Sequence, residues 1–374
     1  MGAGERGAGD MTAITFINLR DLSGGSAAIE PNSLIDCGGG VQIAGHGAGS
    51  GTAAISRTTD NWATTETTVQ TWTEHARCKL HRRPSGRILA LVNGGTGGVE
   101  IWLSDNIGVT WTLAQELLAS THDTGGQPNQ PWSKSTSGFL CVMVWDRIVP
   151  VPVRDVAAFW TSSDDGSTWA QAAYTFGPAS NEGQGAICLE TLSASVAIFG
   201  TAKVGTLPTV DIYRTTDNFA TATSVFNATD GNFVSLLMLG NGNILAGSRG
   251  GVVDGGPKIR RSTDVGATWA QLSDLTALVG SSGEPTVLSV LSSGVVGLGG
   301  QVTPATKAIG ATSEDGGATW TRDDNTLSTL NASTVLTAII RADNGFVYGG
   351  GWSGDVIYRA PWVFSKGQAR GLIL

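Results

Sequence analysis

The chain has 374 residues, a formal net charge of −8, 41% apolar residues and only 14% charged residues. This length allows two ordinary domains or one all-β barrel or propeller, because those folds run longer as single units. There is no stretch of about 18 apolar residues and no basic stripe, so the sequence excludes a helix inserted in a membrane and argues against a nucleic-acid partner.

The N-terminal segment MGAGERGAGD is rich in glycine and alanine, and it lacks the basic start and apolar stretch of a secretory signal peptide. We therefore expect residues 1–12 to be flexible and the chain to be made in the cytoplasm without a signal peptide. The next stretch, AITFINLR, alternates in the manner of a β-strand but has no partner strand nearby in the sequence.

A short motif, S/T-x-D-x-G-x-T-W, recurs along the chain. We number its copies as boxes 1 to 6: Thr58–Thr64, Ser104–Trp111, Ser162–Trp169, Thr215–Thr221, Ser262–Trp269 and Ser313–Trp320. Boxes 1 and 4 (TTDNWAT and TTDNFAT) have an aromatic residue at the glycine position. The aspartate positions recur every 46 to 58 residues, near the period of about 40–50 residues of propeller blades. They are Asp60, Asn106, Asp164, Asp217, Asp264 and Asp315.

Each box has the same surroundings. Around box 5, the runs FVSLLMLGNG, NILAGSRGG, PKIRRSTDVGATW and AQLSDL predict four short strands, with the box between the third and the fourth. A seventh unit follows box 6 but contains only three such runs and a degenerate box, RAPW. Residues 13–22 would supply its missing strand and close the ring, which removes a free sheet edge. The sequence therefore predicts an all-β fold: a single seven-bladed β-propeller over residues 13–374 with four-stranded antiparallel blades, or six blades if the last unit is only a cap.

The residue types in the box suit a structural turn. The aspartate accepts hydrogen bonds from turn N–H groups, the glycine permits a positive φ angle, and the tryptophan packs between blades. A calcium site is the rival interpretation, but most boxes offer only one or two carboxylates, which is too few for that ion. The histidines form no HxH or HxxxH spacing either. We expect no metal and no cofactor.

These motifs resemble the Asp-box, or bacterial neuraminidase repeat, of sialidases, other glycoside hydrolases and non-enzymatic seven-bladed proteins. The resemblance covers about residues 32–365 and implies the propeller fold, and the boxes of that family are structural. A sialidase catalytic set is not recognisable. That set places three arginines around a carboxylate, with a Tyr–Glu pair and an aspartic acid, whereas here RIVP at Arg147–Pro150 lies in the third unit. The tyrosines all fall in predicted strands: Tyr174, Tyr213, Tyr348 and Tyr358.

We expect any site on the face opposite the boxes, where the links between blades and the turns between second and third strands surround the channel. A glycosidase needs two carboxylates roughly 5–10 Å apart, and the acidic candidates in the links are Glu74, Asp123, Glu182, Asp230 and Glu284. The segment WDRIVPVPVRD is expected to form the longest of the second-to-third loops, and both candidate tryptophans are expected to be exposed. The ligand-binding candidates are Arg77, Trp132, Asp146, Arg147, Arg249 and Trp352.

The sequence favours a non-enzymatic function. Glycine-rich loops, low charge and tryptophans able to stack on sugars suit a propeller that recognises a glycan or protein partner. The four cysteines, three of them inside apolar runs, predict reduced thiols. Reduced thiols, few lysines and no visible leader agree with a second hypothesis: a structural protein of a phage tail or virion surface, incorporated in a larger assembly. An intracellular assembly factor fits the blade count equally well. The alternative is a glycoside hydrolase, of the sialidase or another two-carboxylate type, although the xyloglucanase type uses two propellers in tandem and this chain has room for one.

Overall fold

A computed structural model shows seven antiparallel sheets, which we call blades 1 to 7. The residues it describes are 17–21, 27–48, 52–64, 66–93, 98–118, 131–132, 140–148, 154–176, 184–193, 195–203, 210–228, 233–250, 256–281, 283–292, 294–302, 307–322, 335–342, 346–351 and 356–361. Consecutive blades pack against each other, and blade 7 packs against blade 1. The sheets therefore form a closed propeller ring, and the predicted fold is confirmed.

The strands follow the chain in blade order. The N-terminal strand is β1 (Ile17–Asp21). Blade 1 contains β2 (Ala27–Gly38), β3 (Val41–Ala48), β4 (Thr52–Thr58) and β5 (Thr67–Trp72). Blade 2 contains β6 (Arg77–Arg82), β7 (Ile88–Asn93), β8 (Val99–Ser104) and β9 (Thr112–Leu118). Blade 3 contains β10 (Leu140–Ile148), β11 (Arg154–Ser162) and β12 (Ala170–Phe176). Blade 4 contains β13 (Gln184–Thr191), β14 (Ala197–Lys203), β15 (Val210–Thr215) and β16 (Thr223–Ala228).

The second half of the ring has the same order. Blade 5 contains β17 (Phe233–Met238), β18 (Ile244–Ser248), β19 (Lys258–Ser262) and β20 (Ala270–Asp274), and the short helix α1 (Thr276–Val279) follows it. Blade 6 contains β21 (Glu284–Ser292), β22 (Val295–Val302), β23 (Lys307–Ser313) and β24 (Thr321–Arg322). Blade 7 contains β25 (Leu336–Arg341), β26 (Phe346–Gly351) and β27 (Val356–Pro361).

The two ends of the chain meet in blade 7. Strand β1 pairs antiparallel with β27, with Ile17 opposite Arg359 and Asp21 opposite Val356. The N-terminal strand is therefore the outermost strand of the last blade, and the ring is closed by hydrogen bonds between strands far apart in sequence. Residues 1–12 lie outside the described residues, so the flexible segment expected there stays a prediction.

The apolar core lies between the blades. All six side chains of β7 are buried, whereas β5, at the outer edge of blade 1, shows mainly exposed or half-buried side chains. The buried clusters each join two neighbouring blades, as Ile43 and Ile55 of blade 1 do with Leu80 and Val92 of blade 2. The four cysteines are free thiols, three of them buried, as predicted.

Each box lies between the third strand and the outermost strand of its blade, as predicted. In box 5, the Ser262 hydroxyl donates to Asp264 Oδ1 at 2.8 Å and accepts the Gly266 N–H at 2.9 Å. The Thr268 N–H donates to the same carboxylate oxygen at 2.8 Å, and the Trp269 indole N–H donates to the carbonyl of Gly266 at 3.2 Å. The hydroxyl-to-aspartate bond and the N–H-to-hydroxyl bond recur in all six boxes, with Asn106 in place of aspartate in box 2.

Two consecutive left-handed residues follow the aspartate position in every box. The first has φ between 56° and 70°, and it is β-branched in two boxes, at Ile107 and Val265. The second is glycine in boxes 2, 3, 5 and 6, with φ between 75° and 93°. In boxes 1 and 4 it is Trp62 (φ 62°) and Phe219 (φ 59°). The chain therefore reverses through a conformation that L-residues otherwise avoid.

The preceding blade explains why glycine alternates with an aromatic residue. A Cβ on Gly108 would lie 2.5 Å from Ile43 Cδ1 of blade 1, and one on Gly266 would lie 2.8 Å from Ile198 Cγ2 of blade 4. Trp62 instead meets the small residues Ala338 and Ala342 of blade 7 and is fully buried. Large side chains of the preceding blade thus lie against the glycines of boxes 2 and 5, and small ones leave room for the Trp62 ring. In box 4 the Phe219 ring instead stacks on Phe159 of blade 3, with centroids 4.4 Å apart.

We expect Trp62→Ala to lower the free energy of unfolding by about 3–5 kcal/mol, because it removes a fully buried ring and leaves a cavity between blades 7 and 1. Urea denaturation followed by circular dichroism measures the change. Leu113→Ala, at a side chain of β9 that is 50% exposed, is the control and should change stability by no more than about 0.5 kcal/mol. Equal losses in the two variants would contradict the anchoring role of Trp62.

We also expect the stabilisation from Asp264 to disappear in acid. Hydrogen bonds from the Thr268 hydroxyl and N–H lower the pKa of Asp264 to about 2, against about 3.9 for an unfolded aspartate. The stabilisation is therefore complete above about pH 4 and is lost as the pH falls towards 2. Asp264→Asn should be less stable than the parent at pH 7 and equally stable near pH 2, as measured by thermal denaturation across pH. The reverse change, Asn106→Asp, should add acid sensitivity, and an unchanged pH profile in both variants would refute this account.

Candidate functional site

The two ends of the ring differ in the connections they carry. Because strands alternate in direction, the boxes occupy one end, which we call the box face. The links between blades occupy the other end, for example residues 73–76. The turns between second and third strands start at the same end, for example at Arg249, which follows β18. We call this end the link face.

Glu284 and Arg249 meet on the link face. Glu284 is the first residue of β21, the innermost strand of blade 6, and Arg249 follows β18 of blade 5. Arg249 Nη1 lies 3.9 Å from Glu284 Oε2, and their side chains are 48% and 24% exposed. Burial raises the pKa of Glu284, and the positive charge of Arg249 lowers it by a smaller amount. A carboxylic acid with a raised pKa beside the channel is the type of group that serves as a general acid.

A close approach of two loops brings this pair together. The Gly250 N–H donates to the carbonyl of Gly283 at 3.2 Å, which ties the turn of blade 5 to the link before blade 6. A Cβ on Gly250 would lie 2.0 Å from the carbonyl oxygen of Ser281, so only glycine permits this spacing. Arg249 and Glu284 adjoin the two tied glycines in the sequence and are positioned by them.

A second polar group lies on the link face between blades 1 and 2. His75, only 5% exposed, lies in the link, and the neighbouring Ala76 N–H donates to the carbonyl of Asn93 at 2.9 Å. His75 Nε2 lies 3.8 Å from Glu100 Oε2, which accepts the indole N–H of Trp102 at 2.8 Å. Burial lowers the pKa of His75, while Glu100 and then Glu74 raise it by smaller amounts. Burial therefore favours the neutral form of the imidazole.

Several buried polar atoms around His75 have no hydrogen-bond partner among the described residues. They include both side-chain amide atoms of Asn93, which is 1% exposed, the indole nitrogen of Trp72 and His75 Nε2. The rings of Trp72 and Trp102 meet edge to face at 5.5 Å. Unsatisfied buried polar groups are rare in folded proteins, so this combination of amide, imidazole and indole atoms is a candidate contact region for a polar ligand.

The sequence identified only part of this second group. Glu74 is exposed in the link, as expected for a solvent-facing acid, and Arg77 is the half-buried first residue of β6. Asn93, Glu100 and Trp102 were missed, because they lie inside regular strands whose alternation indicates only packing. Their meeting with His75 follows from strand register, which places Arg77 opposite Asn93 and Val92 opposite Glu100.

The expected exposure of Trp132 is wrong. Its side chain is 4% exposed, stacks on His81 with ring centroids 5.6 Å apart, and packs against Trp169. Trp132 forms an isolated antiparallel bridge with Val142 of β10, at the innermost-strand position of blade 3. The residue therefore belongs to the core between blades 2 and 3, since a blade needs an apolar side chain at this position.

The expected long loop WDRIVPVPVRD is also wrong. Strand β10 continues to Ile148 and β11 begins at Arg154, so Asp146 and Arg147 lie in a strand, with Arg147 opposite Asp155. Pairing of the two strands shortens the connection to residues 149–153. The structure describes the backbone of Asp146 and Arg147 but not their side chains, so their role in ligand binding stays a prediction. Asp123, Glu182, Asp230 and Trp352 lie outside the described residues altogether and stay predictions.

The tyrosines lie in strands β12, β15, β26 and β27, as predicted. Tyr213 donates from its hydroxyl to Asp211 Oδ2 at 3.4 Å, and burial, followed by the charge of Asp211, raises the pKa of this phenol to about 12. The phenol is therefore held in its protonated form, which does not suit a nucleophile.

Two further findings concern the described part of the chain. It contains no cluster of three or more His, Cys, Asp or Glu side chains that could hold a metal ion. No helix in it is long and apolar enough to cross a membrane.

Solved structures with similar folds include enzymes that act on glycans. A GH74 xyloglucanase from Xanthomonas campestris matches 92% of this chain at 14% identity with a TM-score of 0.60, and this chain spans about half (53%) of its length. An oligogalacturonate lyase matches 93% of this chain and 96% of its own at 11% identity, with a TM-score of 0.59. A PL25 ulvan lyase bound to -[GlcA(1-4)Rha3S]- matches 94% of this chain and 96% of its own at 10% identity, with a TM-score of 0.53. No family model and no curated protein sequence matches the chain. At these identities the likeness shows the fold alone.

We expect Glu100→Gln to lower the pKa of His75 further, because it removes the carboxylate that raises this pKa most. Proton–carbon NMR of the histidine ring across pH measures the shift. Glu116→Gln is the matched control: Glu116 is paired across the sheet with Glu100 but does not contribute to the pKa of His75, which should stay unchanged. A rise in the His75 pKa on removing Glu100 would contradict the proposed electrostatics.

Proposed function

We propose that the protein is a glycan-processing propeller of the glycoside hydrolase type, with its reaction centre on the link face. The observation that carries this proposal is the half-buried carboxyl of Glu284, whose pKa is raised and which Arg249 approaches at 3.9 Å. The likeness to a xyloglucanase, an oligogalacturonate lyase and an ulvan lyase supports a glycan as substrate class.

Hydrolysis of a glycosidic bond gives Glu284 the role of general acid. Its carboxyl donates a proton to the leaving oxygen as the bond from that oxygen to the anomeric carbon breaks, and a second carboxylate either activates water or attacks the anomeric carbon. Glu74 lies three blades round the ring from Glu284, in the link between blades 1 and 2. Asp123, in the link between blades 2 and 3, is equally far round the ring. The second carboxylate is therefore proposed from the candidates of the nearer links, Glu182 and Asp230.

Arg249 is a positioning residue in this proposal. Its guanidinium holds the Glu284 side chain near the channel and limits how far burial raises the pKa of that carboxyl. The relationship to the Asp-box family also remains part of the proposal, supported by the six recurring boxes and their shared hydrogen bonds.

We expect Glu284→Gln to reduce turnover of a responsive polysaccharide at least 100-fold, in line with the typical contribution of general acid–base catalysis. Reducing-end release is measured on xyloglucan, arabinan, pectin and β-glucan, with Glu116→Gln as a surface control that should retain full activity. Arg249→Gln should move the alkaline limb of the pH–rate profile upwards, because the pKa of Glu284 rises when the nearby positive charge is removed.

Two outcomes would count against the proposed mechanism. Binding of a glycan without turnover would favour the non-enzymatic interpretation, in which the propeller recognises a glycan or protein partner, including as part of a virion. Full turnover by Glu284→Gln would remove this residue from the mechanism.

A further inference from the structure

A cleft of about 440 Å³ opens on the box face between blades 5 and 6, at the opposite end of the ring from Glu284. The turn after β17 forms one wall, the turn between β21 and β22 forms another, and box 6 completes it with Glu314 and Gly316. Its volume lies within the range of roughly 300–1,000 Å³ that is usual for small-molecule sites.

Arg261 lines this cleft and differs from its equivalents in other blades. An arginine immediately before the box donates from Nε to the next box in two other blades: Arg57 binds the carbonyl of Ile107 at 3.0 Å, and Arg214 binds that of Val265 at 2.9 Å. Arg261 occupies the same position before box 5 but makes no side-chain hydrogen bond or ion pair with the described residues. Its guanidinium donors are therefore available to a ligand.

Gly316 provides the space. It follows the aspartate of box 6, a position occupied in the other boxes by Asn61, Ile107, Asp165, Asn218 and Val265. A Cβ on Gly316 would meet no atom closer than Leu239 Cδ1 at 3.8 Å, so the missing side chain leaves open space in the cleft. The turn itself does not demand glycine, because Asn61 and Asn218 adopt the same left-handed conformation with φ of 58° and 56°.

The remaining lining supplies acceptors and apolar side chains. Glu314 is exposed and makes no side-chain hydrogen bond with the described residues, and the Asn243 side-chain amide is equally unbonded. Asp315 is already occupied, since it accepts hydrogen bonds from Ser313 and Thr319. Val290, 47% exposed, contributes an apolar side chain.

This chemistry suits a neutral, hydroxyl-rich ring. Arg261 donates to hydroxyl oxygens, Glu314 accepts hydroxyl protons, the amide of Asn243 does both, and Val290 contacts the C–H face of a ring. The carboxylates of Glu314 and Asp315 outweigh the charge of Arg261, so the lining does not favour an anionic ligand. We infer that this cleft is a binding site for a neutral saccharide unit, separate from the proposed reaction centre because the two share no residue.

The test measures binding by saturation-transfer NMR and calorimetry. The ligands are four neutral disaccharides (cellobiose, xylobiose, maltose and lactose), and digalacturonate is the anionic comparison. We expect at least one neutral disaccharide to bind, and Arg261→Gln and Gly316→Asn each to weaken it at least tenfold with no change in melting temperature. Arg214→Gln is the matched control, since the same position in blade 4 only contacts the neighbouring box, and it should leave affinity unchanged.

One further variant separates this site from the reaction centre. Glu284→Gln should retain disaccharide binding in the cleft whether or not it abolishes turnover, so the two proposals fail independently. Absence of binding by all neutral disaccharides, binding of digalacturonate alone, or wild-type affinity in both Arg261→Gln and Gly316→Asn would each overturn the inference.

Discussion

The propeller depends on the two consecutive left-handed residues of each box. Ile107 and Val265 hold φ of 56° and 58°, a conformation that is unfavourable for β-branched side chains. The serine or threonine hydroxyl and the aspartate carboxylate stabilise it by binding the N–H groups of the same turn, as in Gly266 and Thr268 of box 5. The reversal places the aromatic residue of the box in the interface with the preceding blade, so each turn is linked to a contact between blades.

The recurrence of the box made most of the fold predictable. Strand order, box position and ring closure follow from a motif that occurs six times at similar intervals, and such internal repetition is a strong indicator of a propeller. The exposure of Trp132 was not predictable in this way. This residue lies outside any clear strand pattern, and an isolated tryptophan near a loop suits a ligand platform as well as a core position. Its bridge to Val142 depends on a pairing in blade 3 that no local pattern indicates.

The sequence predicted on which face of the ring the candidate site lies, but not which residues meet there. The order of the connections places Arg249 and Glu284 at the end of the ring opposite the boxes, but their meeting depends on the Gly250–Gly283 hydrogen bond between two loops. The group around His75 depends on register in the same way: Glu100 reaches the imidazole because β8 pairs with β7 at Val92. No spacing along the chain predicts either contact, because each joins a residue of a loop to a residue of a strand that is distant in sequence.

In a repeat protein, the positions that depart from the repeat are the most informative about function. Most box positions are explained by the turn and by the neighbouring blade. For example, the position that is glycine in box 2 (Gly108) is Trp62 in box 1, where the preceding blade presents small residues. Arg261 and Gly316 are not explained in this way, since the equivalents of Arg261 are bonded and Gly316 could carry a side chain without strain. Both departures lie at the junction of blades 5 and 6, the same junction that brings Arg249 to Glu284 on the other face. The junction of blades 5 and 6 therefore holds the proposed reaction centre at one end and the proposed saccharide cleft at the other.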